Sequence, residues 1–134
     1  LMFLGRAHTR GDVVVYLPDA GVAFAGDLAF HKYIPNARDG FPVDWITAAA
    51  RLERLGADVI VPGHGPIGTN SDLQEMRGCL ELVVAQVRKS YEKGLTEGQA
   101  YVALQLGPFN DWGRQEDRLP GVIKRAYMEL RGEI

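Results

Sequence analysis

Three apolar runs in this chain each end on glycine set beside a histidine or an aspartate. Leu1–Leu4 runs into Gly5-Arg6-Ala7-His8-Thr9-Arg10-Gly11-Asp12, Val22–Ala25 into Gly26-Asp27, and Asp58–Val61 into Pro62-Gly63-His64-Gly65-Pro66. Short runs rich in Val, Ile and Phe are strands, and glycine ends them in tight turns. Such a chain must place polar groups on loops backed by rigid sheet. A lone glycine-flanked histidine is ordinarily a turn residue, and Gly-Asp ordinarily a turn or a cap. Their recurrence at three strand ends points instead to a shared site. Imidazole nitrogen and carboxylate oxygen are donors that a borderline divalent ion accepts, so His8, Asp27 and His64 are predicted to belong to a metal site.

The rest of the first half supports an α/β layer. Val13-Val14-Val15-Tyr16-Leu17 is rich in β-branched residues and almost wholly apolar, the pattern of a strand covered on both faces. Pro18-Asp19-Ala20-Gly21 makes a hairpin turn to Val22–Ala25. Asp44 is placed to cap a helix carrying Trp45, Ile46, Ala49, Leu52 and Leu55 on one face, with Gly56 closing it. The second half is helical. Ser71 with Gln74, and Thr96 with Gln99, have capping-box spacing. A stripe of Leu73, Met76, Leu80, Val83, Val84, Val87 and Tyr91 follows the first and ends near Gly94. A shorter helix carries Ala100, with Leu104 and Leu106 inward. Pro120 suits the opening of a last helix with Val122, Ile123, Ala126, Tyr127 and Leu130 inward. No repeat or low-complexity linker divides the chain, and residues 1–134 are expected to form a single domain.

The order of the three segments resembles the second half of the metallo-β-lactamase-fold hydrolases, from about Leu4 to Pro66 and more loosely through the helices beyond. The resemblance implies an α/β fold that is half of an αββα sandwich, one mixed β-sheet with helices on its outer face. It implies His8 in the first metal position, Asp27 as the catalytic carboxylate bridging two metals, and His64 in the second position. The implied cofactor is zinc, one ion or two, with iron and manganese left open because His and Asp accept several first-row ions. The implied reaction is hydrolysis of a small ester- or amide-type substrate, using an ion that lowers the pKa of its water from ~15.7 to about 7. An aspartate at position 27, where one group of true β-lactamases carries cysteine, disfavours antibiotic hydrolysis. Thr9, Asp12 and His31 are candidates for orienting a ligand ring or touching substrate. For Thr9 and Asp12 a self-satisfied loop is the alternative, and for His31 an ordinary surface position. Cys79 is expected to be a small packing residue, and Asn110 with Trp112 a packed inter-helix turn.

One family feature is missing. The His-x-His-x-Asp-His segment that supplies the rest of the metal shell is absent, and the chain's three histidines are His8, His31 and His64. The simplest expectation is the C-terminal half of a longer protein. Such a half would expose an apolar sheet face, and exposed apolar patches beyond roughly a few hundred Å2 are rare on monomers. The expected partner is therefore the missing N-terminal half or a second copy across that face. Two other functions stay open: a non-catalytic scaffold using the fold for association, favoured by the missing histidines, and a di-iron redox enzyme. A net charge of −2 gives no reason to expect nucleic acid or an anionic membrane surface. No apolar stretch approaches the ~20 residues of a membrane span. The single cysteine leaves the compartment undecided, cytoplasmic by default, since an N-terminal signal would have been lost with the first half.

Overall fold

Residues 1–134 are described by a computed structural model in which four strands and four helices follow one another along the chain. Strands β1 (Met2–Phe3), β2 (Val13–Leu17), β3 (Val22–Phe30) and β4 (Val59–His64) form one sheet in that spatial order. β1, β2 and β3 pair antiparallel, while β4 joins β3 in parallel. The sheet is therefore mixed. A parallel neighbour cannot be reached by a hairpin, so helix α1 (Pro42–Glu53) makes the crossover between β3 and β4. Helices α2 (Asn70–Glu92), α3 (Glu97–Ala103) and α4 (Gln115–Leu130) complete the chain.

The inward side chains of the strands alternate with outward ones, as the period of two requires. Val14, Ala23, Ala25 and Ile60 face the helices and are buried, together with Trp45, Ala49 and Leu52 of α1 and Leu73, Met76 and Leu80 of α2. The predicted α2 stripe is buried from Leu73 to Val87, and Cys79 packs within it at 0% exposure. On α4 Leu119, Val122, Ile123, Ala126 and Tyr127 are buried. Trp112 is buried with its ring edge-on to Phe109.

The structure corrects several local expectations. The strand Val13–Leu17 is not covered on both faces: Val13, Val15 and Leu17 are exposed, and Phe3 and Phe24 lie on the same side of the sheet. Helix α1 begins at Pro42, two residues before Asp44, because proline suits the first helical position. Its free N–H groups are taken from outside the helix: Val43 N–H and Asp44 N–H donate to the Glu129 carboxylate of α4 at 2.8 and 3.2 Å. Asp44 instead pairs with Arg6. Helix α2 starts at Asn70, and its capping box is Thr69 with Asp72 rather than Ser71 with Gln74. The Thr96–Gln99 box forms as expected. Helix α4 begins at Gln115, five residues ahead of Pro120, which lies inside it. Glu116 and Asp117 in the first turn suit the positive helix N-terminus.

Candidate metal centre

The parallel pairing of β3 with β4 sets their C-terminal ends side by side. Between the pairs Gly26↔Pro62 and Phe30↔His64 the register shifts, four residues of β3 running against two of β4. β3 therefore bulges, with Gly26 at φ +55° in the left-handed region that glycine adopts freely. Asp27 follows in the bulge and turns its carboxylate toward His64, whose Nδ1 lies 2.9 Å from Oδ1. Gly63 gives the two strands room there. A Cβ at that position would come within 2.8 Å of Asp27 N and Gly26 C and closer still to Asp27 Oδ1.

The first loop delivers the third group. His8 Nε2 lies 3.3 Å from Asp27 Oδ2, so one carboxylate has an imidazole at each oxygen. The far side of the His8 ring fixes its tautomer. Its Nδ1 is 2.7 Å from the Asn36 carbonyl oxygen, which only accepts, so Nδ1 carries the proton and Nε2 the lone pair. A lone pair facing a carboxylate oxygen is repulsive unless a cation, a proton or a metal ion, lies between them.

The surrounding wall is aromatic. The Phe30 ring stacks on His64 with centroids 5.1 Å apart and lies 6.0 Å from His8. Trp45 sets its edge toward both Phe30 and His8 and donates Nε1–H to the Leu28 carbonyl at 2.9 Å. Phe30 and Trp45 are fully buried, whereas about half of the His64 side chain is open to solvent. Arg118 of α4 reaches the same wall, its guanidinium 5.2 Å from the Phe30 centroid.

His8, Asp27 and His64 are thus brought together. The structure contains no set of three or more His, Cys, Asp or Glu side chains closed around one point as a metal cage; what the chain offers is a carboxylate flanked by two imidazoles. Thr9 and Asp12 turn toward each other. Thr9 N–H and Oγ1–H donate to the two Asp12 oxygens at 2.8 and 2.9 Å, and the His8 ring is oriented by Asn36 instead. His31 is not a surface residue: it is 1% exposed. Its N–H donates to the His64 carbonyl at 3.1 Å and its Nδ1 to the Pro66 carbonyl at 2.7 Å, while Nε2 is buried without a partner. His31 therefore braces the loop that carries His64. Phe30, Trp45, Arg118 and the Asn36 carbonyl carry no pattern in the sequence that marks them, because a backbone oxygen and a ring packed across the fold leave no local signature.

The sequence pattern of the metallo-beta-lactamase superfamily matches residues 1–64, the span that holds all three groups. A metallo-beta-lactamase from Pontibacter korlensis superposes with a TM-score of 0.54 at 37% identity, over 60% of this chain and 40% of that one. Residues 1–64 belong to the metallo-β-lactamase superfamily. The type 2 metallo-beta-lactamase of Bacillus cereus is 35% identical over 69 residues, covering 48% of this chain and 27% of that protein. A linear primary-alkylsulfatase of Pseudomonas sp. is 28% identical over 110 residues, 72% of this chain and 20% of its own length. A metallo-beta-lactamase of Pseudomonas aeruginosa, solved in a mono-zinc form, superposes with a TM-score of 0.55 at 29% identity, over 60% of this chain and 38% of that one. The chain spans about a quarter of the length of these curated relatives. This chain's own fold, one mixed four-stranded sheet with four helices, is what matches the first of these structures over 60% of the chain.

Proposed function

We propose that this chain supplies part of the metal shell of a zinc-dependent hydrolase, with His8, Asp27 and His64 as ligands. The observation that carries the reading is the single carboxylate of Asp27 facing an imidazole at each of its two oxygens, with the His8 lone pair aimed inward by Asn36. The residues fit a zinc ion by chemistry: nitrogen and oxygen donors at strand ends, one ring held by an outer carbonyl. When bound, the ion supplies Lewis acidity for hydrolysis of an ester or amide bond. Within the chain, Asn36 keeps His8 in the tautomer that can donate electrons through Nε2. Asp27 can span two positions, one per oxygen. Phe30 and Trp45 close the inner wall against water, and the open side of His64 is where a small substrate approaches. The alkylsulfatase relative, whose match extends beyond residue 64, keeps sulfate esters among the candidate substrates.

Two experiments test this reading. Zinc content is measured by equilibrium dialysis and elemental analysis on the wild type, Asp27→Ala, His64→Ala and Cys79→Ala. Zinc retained by the wild type and Cys79→Ala and lost from the other two supports the assignment; equal content in all four refutes it. The open side of the sheet, with Phe3, Val13, Val15, Leu17 and Phe24 exposed, is the surface for a further sheet of the same fold or for a second copy. Sedimentation of the isolated chain is expected to show self-association that Phe24→Ser weakens, and a monomer at all concentrations refutes it.

A further inference from the structure

We propose that a cavity between the 34–40 loop and α4 is a binding pocket for an anionic group, such as a sulfate, phosphate or carboxylate, of the molecule brought to the Asp27 centre. The cavity has a volume of about 330 Å3 and is lined by Asn36, Arg38, Arg118, Lys124 and Arg125, with one carboxylate, Asp117. One oxygen of that carboxylate, Oδ2, is already committed. Arg114 grips it with two bonds of 2.8 and 2.5 Å and holds its pKa below the usual range. Four cations therefore line one small cavity in a chain whose net charge is −2. Like charges so gathered repel one another, and an oxyanion relieves that repulsion with charge-assisted hydrogen bonds.

Two of the four have a structural task as well. Arg118 Nη1 donates to the Ile34 carbonyl at 2.8 Å, and Arg125 donates through Nε to Gly40 O and through Nη2 to Asp39 O, at 2.6 and 3.3 Å. These bonds fasten the loop to α4 and fix both guanidinium planes without neutralising them. Burial and the nearby Arg114 press the Arg118 pKa down. Arg38 and Lys124 lie exposed at the rim.

The pocket adjoins the candidate centre through shared residues. Asn36 lines it while its carbonyl orients His8, and Arg118 lines it while its guanidinium lies over the Phe30 ring that stacks on His64. Two larger grooves, each near 700 Å3 by volume (≈ 680 and ≈ 690 Å3), gather no such charge: one is lined by no Lys, Arg, His, Asp or Glu, and in the other Lys32 pairs with Glu75.

What the anion belongs to rests on the hydrolase reading, but the pocket itself does not. The test is titration of the full chain with sodium sulfate against sodium chloride at constant ionic strength, following the amide resonances of Arg118 and Gly121. The wild type is expected to saturate, and Arg38→Gln/Lys124→Gln to lose about tenfold or more in sulfate affinity with zinc content unchanged. Asp27→Asn is expected to keep sulfate binding even where it loses zinc. Sulfate binding without zinc uptake would sink the hydrolase reading and leave the pocket standing. No saturable sulfate response, or one untouched by the double substitution, overturns the pocket whatever the zinc result.

Discussion

Substituting Gly63 by alanine tests whether Asp27 is held between the strands as tightly as the geometry requires. The backbone at Gly63 is outside the left-handed region, so alanine carries no conformational penalty there. The cost is steric. The new methyl carbon would lie 2.8 Å from Asp27 N and from Gly26 C, and nearer still to the Asp27 carboxylate. The carboxylate can swing away, but only by leaving His64 Nδ1, now 2.9 Å distant; the backbone atoms can yield only by parting β3 from β4. Overpacking of this kind costs about 1–3 kcal/mol. Unfolding entropy for a chain of this size makes each kcal/mol worth about 3–4 °C. We expect Gly63→Ala to melt about 3–12 °C below the wild type by circular dichroism, a range that follows from those two figures. Zinc affinity should fall with it, because either response moves Asp27. Gly11→Ala is the reference, since a methyl there meets nothing within 4 Å; its melting temperature should stay within about 2 °C of wild type. A Gly63→Ala protein with unchanged melting temperature and unchanged zinc affinity would refute the argument.

Cys79 is fully buried and its thiol is pushed up to about 12 by desolvation, so it should resist iodoacetamide at pH 8 in the native state and react once denatured. Rapid native alkylation would contradict that packing. Asp72 accepts the Thr69 N–H at 2.8 Å and faces His31 and Lys32, and the Thr69 hydrogen bond leads in lowering its pKa. A lowered pKa contributes stability that is present above the unfolded value of ~3.9 and lost as pH falls through the folded one. Asp72→Asn should therefore cost about 0.5–2 kcal/mol at pH 7. The gap should close in strong acid, and a gap constant from pH 7 to pH 2 in urea titrations would argue against the cap.

The strands and buried helix faces were legible because burial writes a period into the sequence. Leu73 to Val87 and Val122 to Tyr127 turn inward as their spacing requires. The three strand-end motifs were legible for the same reason, since glycine and a donor side chain sit next to each other in the chain. Helix starts were less so. Asp44 and Ser71 look like caps, but the free N–H groups of α1 go to Glu129, distant in sequence, and α2 prefers the pair Thr69 and Asp72. For His31 the sequence offers two readings, a contact at the site and an ordinary surface position, and its burial fits neither the surface one nor a contact with solvent-borne substrate. The β3 bulge between Gly26 and Phe30 breaks the alternation and turns His31 inward, onto the Pro66 carbonyl.

The parallel pairing explains why the site lies where it does. In an antiparallel pair the C-terminal end of one strand meets the N-terminal end of the other, so two strand-end motifs would sit at opposite edges of the sheet. Parallel strands bring their C-terminal ends together, and crossover units place ligands there. The crossover is α1, and its buried Trp45 touches both Phe30 and His8 while bonding Leu28 O. The residue that packs the crossover onto the sheet is thus the one that walls His8 and Phe30. Removing it should disturb the centre and the core together. In Trp45→Phe the Leu28 carbonyl loses its donor while most of the ring volume stays, which leaves a buried acceptor unpaired at a cost of about 1–3 kcal/mol. Because β3 carries both Leu28 and Asp27, the centre's geometry is tied to the crossover by one residue of backbone.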